Sequence, residues 1–178
     1  MDVVVLSGTV GAGKTTVAGA LRRELVAQGH VAAELDVDGV ARQAPAPPAD
    51  PFNERLVVAH LRALRSRWER AGVDVLVLPR VVETVAQRDA YADAVGRPVR
   101  VVRIDAPAST RRRRLVARHD AGPDRDWHLA RTDSLAAILA VAAVEDVVVV
   151  NDRRPPSAVA TEILAALGWS QRCTTVGP

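Results

Sequence analysis

The segment Gly8-Thr9-Val10-Gly11-Ala12-Gly13-Lys14-Thr15 constrains this chain more than any other. It follows an apolar run, Val3–Ser7, and opens a helix-patterned stretch, Lys14–Gln28. Strand, glycine-rich turn and helix in that order satisfy G-x-x-x-x-G-K-[ST] in the context the motif requires. The glycines let the backbone curl so that successive N–H groups face one anion, and the helix N-terminus adds partial positive charge. Of 24 basic residues 23 are arginine, and Lys14 is the single lysine. A compact ammonium on a flexible stem reaches the β- and γ-phosphates of a nucleotide through such a loop, whereas a planar guanidinium is too broad. Thr15 then offers its hydroxyl to magnesium, and Thr16 adds a backbone donor.

The rest of the chain repeats the same alternation. Val31–Asp36, Val73–Leu78, Val99–Asp105 and Asp146–Val150 read as four further strands, several without a polar alternation, as in parallel strands covered on both faces. Helical patterns lie at Asn53–Ala71, Glu83–Val95, Pro107–Arg118, Asp126–Val144 and Pro156–Leu167. In the first of these, Val57, Leu61, Leu64 and Trp68 form one apolar stripe. The expectation is one α/β domain over residues 1–178, a doubly wound parallel sheet in three layers. With 48% hydrophobic but only 3% aromatic residues, its core must be aliphatic. The proline-rich Ala41–Pro51 is neither helix nor inner strand and reads as a mobile loop.

A net charge of +3 suits a phosphorylated ligand and lacks the basic stripe of a nucleic-acid binder. Neither nucleic acid nor membrane is an expected partner: the longest uncharged apolar run, Leu135–Val144, is about half of a membrane span. The lone Cys173 allows no internal disulfide, and no leader is evident before Ser7, so a cytoplasmic protein is expected, as monomer or homodimer.

No second lysine exists to build the N-K-x-D of a GTPase. The third strand carries Asp74 near its start and ends Leu78-Pro79-Arg80, so its acid lies at the wrong end of the sheet, since ligands gather at the carboxyl ends of parallel strands. The acids reappear after the second strand, in Leu35-Asp36-Val37-Asp38-Gly39. Beside a phosphate loop they can divide the work: Asp36 holds magnesium through water, and Asp38 accepts the proton of an attacking hydroxyl.

On these motifs the chain resembles the small P-loop kinases, namely shikimate, gluconate and adenylylsulfate kinases and, more distantly, nucleoside monophosphate kinases. The L-D-x-D placement is similar to adenylylsulfate kinase, and Asp50–Leu56, Asp126–Arg131 and the Val147–Pro156 ending resemble actinobacterial proteins labelled AAA-family or P-loop ATPases. The resemblance implies a sheet order 2-3-1-4-5, ATP rather than GTP, and a lid over roughly residues 118–127. Seven arginines fall in Arg111–Arg131; Arg111, Arg114 and Arg118 share one helical face. The Arg114-x-x-x-Arg118 step is similar to adenylate kinase, where the first such arginine lies on adenine and the second reaches phosphate. Asp120–Asp126, polar and broken by Gly and Pro, has the composition of a mobile lid, which makes Arg118, Arg125 and Arg131 candidates to neutralise the transferring phosphoryl group. Asn151–Pro156 takes the place of the adenine loop, so Arg153 and Pro155 are expected against the base.

The acceptor is expected over the strand ends, in the region of residues 38–60, with Asp38, Arg42, Arg55, His60 and Arg80 available and Glu83 nearby. The glycine triplet of shikimate kinase is missing after the third strand, and Gly39-Val40-Ala41 replaces the Asn-Val-Arg of adenylylsulfate kinase. The single Phe leaves little scope for an aromatic clamp on a purine. The resulting expectation is an ATP- and magnesium-dependent transfer to a hydroxyl of a small metabolite. Its alternatives are a nucleotide kinase with a phosphate acceptor, a nucleotide-dependent regulatory protein, and a nucleic-acid end kinase, for which +3 is a poor match.

Overall fold

A computed structural model describes residues 1–169; Cys173 lies outside the described residues. In chain order the elements are β1 Asp2–Ser7, α1 Lys14–Ala27, β2 Ala32–Glu34, α2 Val37–Val40, α3 Glu54–Arg70, β3 Val75–Pro79, α4 Val85–Val95, β4 Val99–Asp105, α5 Ala108–Arg118, α6 Pro123–Ala142, β5 Val147–Val150 and α7 Pro156–Ala166. The five strands form one parallel sheet in the order β2-β3-β1-β4-β5. Because side chains alternate across a strand, β1 divides its valines between two cores. Val4 and Leu6 pack with α1 and α7, together with Val77, Val102 and Ile104. Val3 and Val5 pack against α3 and α4, with Leu76, Leu78 and Val101. A central strand covered on both faces needs no polar alternation, which is why its sequence reads as a plain apolar run. Among the described residues, no helix is long and apolar enough to cross a membrane.

Four local readings shift. The turn after β2 is a short helix, α2, because the Asp36 carboxylate accepts from Gly39 N at 3.2 Å and caps it. The loop Ala41–Pro51, expected to be mobile, is pinned near both ends. Asn53 Nδ2 donates to the carbonyls of Ala41 and Gln43, and the Asp50 carboxylate accepts from the amides of Glu54 at 2.7 Å and Arg55 at 3.0 Å. Those are the orphan donors of the first turn of α3. Finally, α6 begins at Pro123, not Asp126. Proline suits the first helical position, and Asp124 and Asp126 complement the helix dipole. The second half of the expected flexible lid is therefore a helical turn, and only His119–Gly122 separate α5 from α6. Likewise the α3 stripe is fully buried only at Val57 and Leu61, while Leu64 and Trp68 are half-buried at the far end of the helix.

Candidate functional site

The loop between β1 and α1 is a cradle that only glycine can form. Gly8, Gly11 and Gly13 have φ of 137°, 79° and 102°. A Cβ on Gly8 would lie 2.3 Å from the Ile104 carbonyl oxygen, and one on Gly13 2.4 Å from Asn151 Nδ2. The carbonyls of the loop are satisfied from other elements. Thr132 on α6 donates to Val10 O at 2.7 Å, and Arg114 on α5 donates to Gly11 O and Ala12 O at 3.2 and 3.0 Å. Asn151, just past β5, donates to Ala12 O at 2.7 Å. Lys14 Nζ takes the remaining two, Gly8 O and Thr9 O, both at 3.0 Å. The N-cap of α1 is Gly13, which has no side chain to cap the first turn. The amide donors there are thus left for an anion. Desolvation within the loop lowers the Lys14 ammonium to about 8; Asp38 opposes that shift, and Arg118 and Arg80 add to it.

A cavity of about 470 Å³ opens in front of this loop. Its floor includes Val10, Gly11, Gly13, Lys14, Thr15 and Thr16, and its wall includes Asp36, Asp38, Arg42 and Arg80. The phosphate loop, the acid pair and two of the expected acceptor residues are thereby brought together. Its rim adds groups that sequence reasoning passed over: Phe52, Glu54, Gln87, Trp127 and His128. Phe52 and Trp127 are each about half exposed, so the rim carries two aromatic side chains, one of them a tryptophan that the count of a single Phe leaves out.

Arg80 organises the wall. It forms an ion pair with Asp38 and, through Nη2, donates to Phe52 O at 2.9 Å and Glu54 Oε2 at 2.8 Å. The other Glu54 oxygen accepts from the Tyr91 hydroxyl. Burial lowers the proton affinity of Arg80, but Glu54 and its neighbours outweigh that and raise it. Burial, followed by the charge of Glu54, pushes the Tyr91 phenol up. Arg80, Glu54 and Tyr91 thus form one fixed network with Asp38 at its exposed end. Arg131 pairs with Glu83 and lies 4.8 Å over the ring of Phe52, whose carbonyl Arg80 holds.

A second cleft, about 360 Å³, lies behind the phosphate loop. Arg114, Arg118, Asn151, Arg154 and Pro156 line it. Arg118 lines both cavities, as do Gly11, Gly13 and Thr16. The expected base contacts Arg153 and Pro155 are exposed and line neither cavity; their neighbours Arg154 and Pro156 do. Arg153 sits in the left-handed region, at φ 51°. Arg55 is exposed on α3 and Arg125 is half-buried on α6, and neither lines either cavity. Arg111 is buried with Nη1 on Ala106 O at 2.6 Å, a structural role.

These features define a phosphate-binding α/β domain, and the chain belongs to the AAA domain family (AAA_18), which matches residues 4–134. No curated protein matches it. Among solved structures, it is similar to an unliganded sugar kinase from Janibacter sp. HTCC2649, with a TM-score of 0.64 and 22% identity over 96% of each chain. It is also similar to shikimate kinase from Acinetobacter baumannii in complex with shikimate (TM-score 0.64, 17% identity, 94% of this chain and 93% of that one). A third is the Mycobacterium tuberculosis APS kinase CysC in complex with AMPPNP and APS (TM-score 0.59, 19% identity, 94% and 97%). The fold is that of the small P-loop kinases.

Proposed function

We propose that this chain is an ATP-dependent, magnesium-assisted phosphotransferase whose acceptor is a hydroxyl of a small metabolite. One observation carries the reading: Lys14 on the phosphate loop and Asp38 line the same cavity, close enough for the Asp38 charge to act on the ammonium. The solved relatives by fold include kinases of small molecules, and APS kinase in that group holds an ATP analogue.

In this reading the second cleft takes the nucleotide base between Arg114, Arg154 and Pro156, and the triphosphate runs past Arg118 into the glycine cradle. Lys14 leaves the Gly8 and Thr9 carbonyls for the terminal phosphates. Thr15 and Asp36 are exposed into the cavity and offer hydroxyl and carboxylate oxygens, the hard donors that magnesium prefers. The ion would neutralise charge shared by the terminal phosphates. Asp38 keeps one oxygen on Arg80 and is more than half exposed, so its other oxygen is available to take the acceptor's proton. Arg118 and Arg131 supply positive charge around the transferring group. Phe52 and Trp127 offer apolar faces to the acceptor's carbon skeleton, and Gln87 and Glu83 offer polar contacts.

The saturation of Arg80 favours a hydroxyl over a phosphate acceptor. With Asp38, Glu54 and the Phe52 carbonyl already on its guanidinium, it has little left to grip a second phosphate. Labelled ATP and a library of small hydroxylated metabolites test the reading. At least one acceptor should raise turnover well above hydrolysis, and Asp38→Asn should abolish that gain. Tight nucleotide binding with no stimulating acceptor would point instead to a regulatory nucleotide-binding protein.

A further inference from the structure

We infer that His119, Asp124 and His128 form a site for a divalent transition-metal ion, zinc by preference, that fastens the start of α6 to the end of α5. His119 is the C-cap of α5, while Asp124 and His128 stand at i and i+4 on the first turns of α6. One ligand atom from each lies within 4.8 Å of the others. His119 Nδ1 is 2.8 Å from one Asp124 oxygen, and His128 Nε2 is 3.6 Å from the other. The imidazole centroids are 4.2 Å apart, and Trp127 meets the His128 ring edge-on at 4.9 Å. The two imidazoles are mostly buried, with 19% and 23% of their side chains exposed, so much of their desolvation precedes any metal.

Zinc bonds of about 2.0–2.1 Å in a tetrahedron place ligands roughly 3.3 Å apart, so the set closes with shifts on the order of 1 Å. Two imidazoles and one carboxylate select zinc-like ions over magnesium, which separates this site from the oxygen donors Thr15 and Asp36. Three protein ligands leave the fourth position to water. The site spans the only break between α5 and α6, the four residues His119–Gly122. A metal there would hold Trp127, His128 and Arg131 at a set height above the larger cavity, with Arg118 adjoining. That coupling to turnover rests on the phosphotransferase reading; metal binding itself does not.

The test is calorimetric titration of the chelator-treated, untagged chain with zinc chloride, with cobalt(II) absorption as a second probe of tetrahedral nitrogen and oxygen ligation. One equivalent should bind in the low-micromolar range or tighter, raise the melting temperature and slow amide exchange across residues 118–131. His119→Gln and Asp124→Asn should each weaken binding at least about ten-fold, while the metal-free melting temperature shifts only slightly from the lost His119–Asp124 contact and first-turn charge. His30→Gln, Cys173→Ser and Asp38→Asn should bind zinc like the parent chain. The inference is overturned if the parent chain binds no zinc below millimolar, if both ligand variants bind it undiminished, or if Cys173→Ser or Asp38→Asn removes the binding.

Discussion

The two sides of the larger cavity are built on different principles. The phosphate side is backbone: glycines at φ values closed to other residues, carbonyls tied down by Arg114, Thr132 and Asn151, and one lysine. The opposite side is made of side chains, with Arg80 holding Asp38, Glu54 and, through Glu54, Tyr91. A backbone site recognises a group every nucleotide shares, so it tolerates almost no substitution. A side-chain site can be rewritten residue by residue. The first is therefore where chemistry common to the fold resides, and the second is where this chain's own acceptor would be chosen.

That contrast breaks most sharply if Lys14→Arg retains activity. Lys14→Arg and Lys14→Ala should both lower kcat by about 10²–10³-fold, because charge alone does not replace an ammonium inside the loop; acceptor-dependent ADP release measures it. Asp38→Asn should cost about 10²-fold in kcat while leaving nucleotide affinity nearly intact, read from steady-state kinetics beside equilibrium binding. If affinity falls instead, the two walls are not separable.

Gly13→Ala probes the cradle without touching charge. Its Cβ meets Asn151 at a φ of 102°, so a loss of about 1–3 kcal/mol in unfolding free energy is expected, with nucleotide binding weakened in parallel. Asn151→Ala removes one of the two donors on the Ala12 carbonyl, which keeps Arg114, and should cost about 0.5–1.5 kcal/mol by chemical denaturation.

The smallest effect belongs to neither wall. Burial pushes the Asp146 carboxyl up, but the Val101 amide and the Arg88 guanidinium outweigh it and hold it below the usual carboxylate range. Its folded-state pKa is depressed, so its stabilisation is present above the unfolded value, about 3.9, and fades as pH falls through the folded one. Asp146→Asn should narrow the stability gap to the parent chain on acidification, as measured by denaturation across pH.

How far the sequence reaches follows from the same contrast. The cradle was legible because a glycine's freedom and a lysine's shape are properties of single residues at fixed spacing. The strands were legible because central parallel strands read as apolar runs. The acid pair was placed by the rule that ligands gather at strand ends, and Asp36 and Asp38 do line the cavity. The Arg80–Glu54–Tyr91 network was not legible: its members lie 26 and 37 positions apart, and no local pattern pairs them. Nor does the sequence show that Arg154 and Pro156, rather than Arg153 and Pro155, line the second cleft. Trp127 and His128 lie within the helix expected from Asp126, but no local motif marks them as cavity-lining; what the sequence hides there is only the earlier start of α6 at Pro123.

The hydrogen bond from Asn151 to Ala12 joins residues 139 positions apart and crosses the end of the family match at residue 134. Residues 1–134 are therefore not a portable nucleotide-gripping cassette. A chimera that grafts residues 1–134 onto a relative's C-terminal portion inherits the motif but depends on the recipient to furnish an amide at the tip of its last strand. Engineering by block exchange should treat those two distant stretches as a single heritable unit.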